Sequence, residues 1–112
     1  MVSYPRYKVA AAHLAPVYLD LQATVDKTCA AIHEAAANGS ELVVFPETHL
    51  PGFPGLWSLR APIHNHEFFR TLAANAPQVD GPEIAAIADA TRQSEVFVSL
   101  GLSLIHISEP TR

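Results

Sequence analysis

Residues 41–47 read Glu-Leu-Val-Val-Phe-Pro-Glu, and the interpretation of the rest of the chain starts from this stretch. Its apolar, β-branched centre is typical of a buried strand that ends at Phe45. Pro46 favours an extended conformation at Phe45 and cannot itself continue a central ladder of hydrogen bonds. The pattern therefore predicts a strand over residues 41–45, with the carboxylate of Glu47 just beyond its carboxyl end.

The segment before this strand predicts another strand and then a helix. Residues 8–14 form a short apolar run closed by Ala15 and Pro16, which favours a buried strand. Asp20 is a typical helix N-cap, and Asn38 with Gly39 is a typical left-handed stop. Between them, apolar or small residues recur at helical spacing in one stripe: Leu21, Val25, Thr28, Cys29, Ile32, Ala35 and Ala36. Strand, helix and strand in this order predict a βαβ unit with parallel strands.

The segment after residue 45 predicts a long loop and three further elements. The loop, residues 46–62, is rich in proline and leaves the carboxyl end of a strand, where open α/β sheets build their ligand sites. The spacing then predicts a helix over residues 64–76, a helix from Pro82 to about residue 93, and a strand over residues 95–100. The fold class is therefore α/β.

Composition excludes several classes of protein. The chain has 112 residues, of which 49% are apolar and 16% charged, so it is not a disordered chain. Its net charge of −4 and the lack of a basic run argue against a nucleic-acid partner. It has no run of about 18 apolar residues, which argues against a membrane partner. Its single cysteine, Cys29, excludes an intrachain disulfide and favours a cytoplasmic protein.

The end of the chain resembles translated adapter DNA. Residues 102–112 read Leu-Ser-Leu-Ile-His-Ile-Ser-Glu-Pro-Thr-Arg, which matches one reading frame of the adapter used in transposase-made sequencing libraries. The alternative is a natural strand followed by a polar terminus. We predict that residues 102–112 are a non-native tail and that the domain breaks off near Gly101.

Glu47 is the first candidate for chemistry. An acid directly after a buried strand and a proline is expected at a sheet edge, half desolvated, where its pKa rises toward the range of a general base. Alternatively, Glu47 caps the next turn or pairs with a cation of the loop. Spacing alone leaves both interpretations open.

From about residue 7 to residue 101 the sequence resembles the nitrilase superfamily, the carbon–nitrogen hydrolases. The resemblance is carried by residues 8–17 (Lys-Val-Ala-Ala-Ala-His-Leu-Ala-Pro-Val), 34–39 (Glu-Ala-Ala-Ala-Asn-Gly), 41–48 (Glu-Leu-Val-Val-Phe-Pro-Glu-Thr), 79–83 and 96–101. Residues 50–54, Leu-Pro-Gly-Phe-Pro, are similar to the nitrilase branch itself. The resemblance implies that residues 1–101 are the N-terminal part of an α-β-β-α sandwich, in which two sheets pack face to face with helices outside.

The resemblance also implies a Glu–Lys–Cys triad. Glu47 would take the proton of a cysteine thiol that attacks a nitrile carbon, and the products would be a carboxylic acid and ammonia. This chemistry needs no metal and no organic cofactor. By the resemblance, the lysine and cysteine of the triad lie downstream of residue 101. Lys8 and Lys27 stand at the wrong positions, and the place of Cys29 on the buried stripe of the first helix favours a small core residue over a nucleophile. We therefore expect this fragment alone to be inactive and its complete parent to be a homo-oligomer that acts on a small-molecule nitrile.

Other residues have two interpretations each. Phe53 and Trp57 are expected to bind substrate as walls of an apolar nitrile pocket, or else to anchor the loop. His49 could tune Glu47. His64 and His66 have a spacing that can bind metal, but a solvated helix start explains them better.

Two other functional classes are alternatives to a nitrile-hydrolysing enzyme. One is a non-catalytic α/β binding module, and the other is a catalytically dead relative that keeps only the fold. A glycine-rich phosphate loop after the first strand would favour the module, and residues 14–17, Leu-Ala-Pro-Val, offer none.

Overall fold

The computed structural model describes residues 2–102, apart from the side chains of Leu56 and Trp57. Its strands are β1 (Val9–Ala11), β2 (Leu42–Val44) and β3 (Phe97–Ser99). Its α-helices are α1 (Leu21–Ala37), α2 (His66–Ala74) and α3 (Pro82–Ser94), and two short 3₁₀ turns lie at Gly55–Leu59 and Pro62–His64. The predicted tail falls outside the described residues, except for Leu102. None of the helices in the described part is long and apolar enough to cross a membrane.

The strands form one parallel sheet in the order β1-β2-β3, so β2 is the central strand. The register places Val9 beside Leu42 and Leu42 beside Phe97. Helix α1 connects β1 to β2, and α3 precedes β3. This topology confirms the predicted α/β class and the predicted parallel βαβ unit.

Helix α1 begins and ends where its sequence predicts. The Asp20 carboxylate accepts a hydrogen bond from the Ala23 N–H at 3.0 Å, which satisfies one of the free donors of the first turn. Asn38 follows the last residue of the helix, and Gly39 has a φ of 87°, a left-handed conformation that glycine adopts without strain.

The other predicted ends need correction. Helix α2 is shorter than the predicted 64–76 segment, because Pro62–His64 forms a separate 3₁₀ turn. Strand β3 begins at Phe97 and not at residue 95, because Glu95 ends α3 in a left-handed conformation with φ 54°. That conformation turns the Val96 N–H back toward the Thr91 carbonyl, to which it donates at 3.4 Å, and so satisfies an acceptor of the last turn.

The core lies between the sheet and the pair α1 and α3. Its buried apolar side chains come from α1, α3, β2 and the segments that flank β2 and β3: Val25, Ile32, Val43, Phe45, Leu50, Ile87, Ala90 and Val96. Alternate strand residues point to the opposite face, where Val9, Val44 and Phe97 are exposed. Within residues 2–102, helices cover only one face of the sheet, and the other face is open.

Candidate active site

Glu47 lies three residues beyond the end of the central strand β2, in a turn at the carboxyl edge of the sheet. We call residues 45–52 the Glu47 loop. Both Pro46 and Glu47 are exposed to solvent, so the predicted half-desolvated environment is wrong for this chain. The physical reason is that the described residues pack beneath the loop, through Phe45, His49 and Leu50, and leave its carboxylate side open.

Backbone hydrogen bonds attach the Glu47 loop to the chain that continues β3. The Phe45 N–H donates to the Ser99 carbonyl at 2.8 Å, and the Leu50 N–H donates to the Gly101 carbonyl at 3.3 Å. Leu50 also pairs with Leu102 in an isolated parallel bridge. Glu47 is therefore carried on a loop that is tied to the sheet on both sides of it.

Gly101 allows a very close approach between these two segments. A β-carbon at this position would overlap the Pro46 carbonyl oxygen and would lie 2.9 Å from the Cα atom of Glu47. Real β-carbons essentially never come so close to backbone atoms, so a larger residue would push the loop away. Gly101 thus fixes the height of Glu47 above the end of the sheet.

Backbone strain is concentrated directly after Glu47. Thr48 has a φ of 49°, in the left-handed region that a β-branched residue rarely adopts. Such conformations persist when the surroundings over-determine them, and they cluster at functional sites. Here the Thr48 carbonyl accepts a hydrogen bond from the Gly52 N–H at 3.0 Å, which closes the turn.

His49 holds the Glu47 loop from below. Its side chain is 1% exposed, and its ring centroid lies 5.0 Å from that of Phe45. Its Nε2 atom lies 2.9 Å from the Thr28 hydroxyl on α1. Burial, and secondarily the positive charge of Lys27, lowers the pKa of the His49 imidazole below its ordinary value.

The far end of the loop packs against the segment that precedes α1. The Leu19 N–H donates to the Pro51 carbonyl at 3.3 Å. Gly52, with φ 131°, lies so close to Tyr18 that a β-carbon would fall 2.6 Å from its ring. The Tyr18 ring in turn stacks on Phe68 of α2, with 6.3 Å between the ring centroids. Contacts with other described residues thus hold the loop at Phe45, His49, Leu50 and Pro51.

A groove of about 280 Å³ lies beside this loop. It is lined by the carboxyl ends of β1 and β2 and the residues that follow them: Ala11, Ala12, His13, Leu14, Val44, Phe45 and Pro46. Its lining is mostly apolar, as small-molecule sites are. Nothing in the sequence pattern marks His13 as part of this groove, because the position depends on how β1 pairs with β2.

The predicted pocket residues are not brought to Glu47 by any contact that the structure describes. Phe53 follows the Glu47 loop directly and is 54% exposed. Its backbone carbonyl accepts a hydrogen bond from the Gly55 N–H at 2.8 Å. Trp57 lies in the Gly55–Leu59 turn, and its side chain is outside the described part of the structure. Their role in substrate binding stays a prediction.

Cys29 faces α3 and not the loop. Its thiol is half-buried and lies 3.7 Å from the Ala86 carbonyl oxygen, to which it donates. Burial, and then the negative charge of Asp26, raises the pKa of the Cys29 thiol, which disfavours the thiolate that a nucleophile needs.

His64 ends a 3₁₀ turn and His66 begins α2, and no cluster of three or more metal-ligating side chains occurs within residues 2–102.

The structure thus places a carboxylate on a strained turn at the carboxyl edge of a parallel sheet, the edge where α/β proteins build their ligand sites. The chain belongs to the carbon–nitrogen hydrolase family, the nitrilase superfamily, because the sequence profile of that family matches residues 8–109. The family predicted from the sequence is thereby confirmed.

Individual relatives are nitrilases of fungi and bacteria. The chain is 42% identical to an arylacetonitrilase of Aspergillus niger over 103 residues, which cover 92% of this chain and 30% of the relative. It is 38% identical to a nitrilase of a Bacillus species over 97 residues, which cover 87% of this chain and 29% of the relative. It is 39% identical to an aliphatic nitrilase of Rhodococcus rhodochrous over 105 residues, which cover 92% of this chain and 29% of the relative. The chain thus spans less than a third of the length of these relatives.

Proposed function

We propose that this chain is the N-terminal part of a nitrilase whose complete form converts a nitrile to a carboxylic acid and ammonia, with Glu47 as the general base. The observation that carries the proposal is the position of Glu47. It follows the central strand on a turn that is strained at Thr48 and held on both sides, so its backbone is fixed while its carboxylate faces open space. Membership of the carbon–nitrogen hydrolase family and the names of the relatives support the reaction class.

The proposed reaction proceeds through a covalent intermediate. Glu47 accepts the proton of a cysteine thiol as its sulfur forms a bond to the nitrile carbon. One π pair of the C≡N bond moves to nitrogen, which takes that proton from Glu47 and gives a thioimidate. Addition of one water and departure of ammonia leave a thioester. A second water releases the carboxylic acid and returns the proton to the thiol. In total, two waters are consumed for each nitrile.

The lysine and the cysteine of this triad are proposed to lie outside residues 1–101. Both lysines of the chain have other partners: Lys8 donates to the Asn38 carbonyl at 2.5 Å, and Lys27 to the Ala15 carbonyl at 2.6 Å. Cys29 faces α3. A lysine beside Glu47 in the complete enzyme would keep the base ionised and would stabilise charge that develops on the substrate.

Further structure in the complete enzyme is proposed to cover Glu47. A carboxylate becomes more basic when it is removed from water, and a nitrile needs an apolar pocket that excludes water. Both conditions require a cover over Glu47. We place Phe53 and Trp57 in the walls of that pocket, since both follow Glu47 on the same long loop.

We also propose that the complete enzyme is a cytoplasmic homo-oligomer. Gel filtration of the complete enzyme would report the size of the oligomer.

Replacing Glu47 tests this function. In the complete enzyme, Glu47→Gln should lower ammonia release from nitriles by about 10²- to 10⁴-fold, because glutamine keeps the shape but cannot accept the proton. The assay panel should contain arylacetonitriles, benzonitriles and aliphatic nitriles.

The matched control is Glu67→Gln. The Glu67 side chain is 81% exposed and pairs only with Arg70 at the surface of α2, so this variant should keep wild-type turnover. Wild-type turnover in a folded Glu47→Gln protein would refute the base assignment, and a complete enzyme that releases no ammonia from any nitrile would refute the function.

A further inference from the structure

A buried histidine lies beneath Glu47 where an apolar side chain would fit. His49 is 1% exposed, packs on Phe45 and belongs to a layer that also contains the fully buried Leu50. An imidazole in such a place loses its hydration, and each of its nitrogens needs a partner to compensate. A phenylalanine would fill the same space without that requirement, so the polar atoms of His49 need an explanation.

The hydrogen bonds around Thr28 define the protonation of His49. The Thr28 hydroxyl donates its proton to the Thr24 carbonyl at 2.7 Å, within α1. Its oxygen therefore faces His49 as an acceptor, and the imidazole Nε2 at 2.9 Å is the donor. The neutral ring then carries its proton on Nε2. Its Nδ1 is an unprotonated acceptor, which has no hydrogen-bond partner among residues 2–102.

This bond joins the Glu47 loop to the most firmly anchored side of α1. Thr28 is fully buried, as are its helix neighbours Thr24, Val25 and Ile32, so the acceptor has little freedom to move. His49 is two residues from Glu47, across the strained Thr48. No described side chain bonds the Glu47 carboxylate, so the backbone of the loop sets where that group stands.

We propose that His49 is a positioning residue, which sets the location of Glu47 by donating a hydrogen bond from Nε2 to Thr28. The proposal rests on the proposed function of Glu47 as the base. The bond fixes the geometry of the loop. Without it, the loop can settle onto an apolar side chain at residue 49 with its turn shifted. A displacement near 1 Å at a reacting group costs about 100-fold in rate. The tautomer that this bond requires leaves Nδ1 without a proton, as an acceptor.

The test uses paired variants of the complete enzyme. His49→Phe keeps a ring of similar size and removes the donor, whereas His49→Gln can place an amide N–H near the position of Nε2. We expect His49→Phe to lower kcat per folded active site by about 10- to 100-fold with KM changed less than twofold, and His49→Gln to recover most of the loss. A merely structural role would lower the melting temperature and the yield of folded enzyme but would leave kcat per folded site unchanged.

Thr28 provides the second arm of the test. Thr28→Val keeps the shape and removes the acceptor, so it should lower kcat as His49→Phe does, while Thr28→Ser should not. If His49→Phe does not fold, Thr28→Val carries the measurement. His66→Phe, at an exposed position on α2, is the control and should leave kcat unchanged.

The wild-type enzyme adds a readout that needs no variant. With ¹⁵N-labelled histidine, the His49 signal should show a proton on Nε2, and a proton on Nδ1 would overturn the proposal. So would wild-type kcat in either folded His49→Phe or folded Thr28→Val. Failure of the inference is distinguishable from failure of the function: in the first case Glu47→Gln is still inactive, and in the second it turns over normally.

Discussion

Gly101 shows how a residue outside the Glu47 motif controls its geometry. Because the backbone at Pro46 and Glu47 passes directly over the Gly101 Cα atom, any side chain at residue 101 has to displace the loop. The displaced atoms belong to backbone and cannot rotate aside as a flexible side chain could. In the complete enzyme, we expect Gly101→Ala to lower kcat by about 100-fold, since the base moves by a large fraction of an ångström or more.

Gly55→Ala is the matched control for this prediction. Among the described atoms, a β-carbon at Gly55 would meet the Phe53 ring at an ordinary contact distance of 3.7 Å. This variant should keep kcat within about twofold of wild type, and both proteins should be compared by steady-state ammonia release and by thermal unfolding. Unchanged kcat in a folded Gly101→Ala protein would show that the close approach does not position Glu47.

At the residue scale, sequence predicts the features that are local in the chain. Asp20 is recognisable as a cap because its partner, Ala23, is three residues away. The bond from His49 to Thr28 spans 21 residues, and its existence depends on how α1 packs under the sheet. The same holds for Gly101, whose contact with Glu47 needs the register of β2 against β3. The exposure of Glu47 was mispredicted because it depends on what packs over the loop, which the local pattern does not contain.

At the scale of elements, order and type could be predicted, whereas several ends could not. The periodicity of α1 and the run before Pro46 are strong signals because each repeats over several residues. The start of β3 was misplaced because Val96 and Phe97 continue an apolar run, while Glu95 is taken by the left-handed end of α3. The hydrogen bonds that satisfy the last carbonyls of α3 stabilise the chain more than two further residues of strand would.

The packing of α1 against α3 gives a prediction for Cys29. In the complete enzyme, Cys29→Ala should leave kcat unchanged and lower the free energy of unfolding by about 1 kcal/mol, because it removes one partly buried sulfur from this helix pair. Ammonia release and urea unfolding measure the two effects. Loss of turnover in a folded Cys29→Ala protein would instead make this thiol the nucleophile.

At the scale of the whole molecule, one face of the sheet is open. Val9, Val44 and Phe97 are exposed there, and Tyr7, Leu42 and Phe97 line a groove of about 430 Å³ together with Glu41. The second sheet of the sandwich expected for the complete enzyme would cover this face. Exposed apolar patches of this kind favour association in water.

The 112-residue chain should therefore self-associate and release no ammonia from any nitrile. Phe97→Lys should reduce association, because it places a charge on the open face at the edge strand β3, where Phe97 is 78% exposed. Leu59→Lys is the matched control, since Leu59 is 75% exposed but lies in a 3₁₀ turn away from the sheet. Light scattering measures the size distribution. A monodisperse wild-type chain that releases ammonia would contradict both parts of the prediction.

The central place of β2 has a consequence for how activity is lost. Glu47 extends from the one strand that is hydrogen-bonded on both sides, and the loop itself is bonded to residues 99 and 101. The Phe45 and Leu50 amides donate to that segment, so we expect them to exchange with solvent only when the sheet opens. We therefore expect heat or denaturant to remove activity and the sheet of the wild-type enzyme in one step, which parallel measurements of ammonia release and circular dichroism would check.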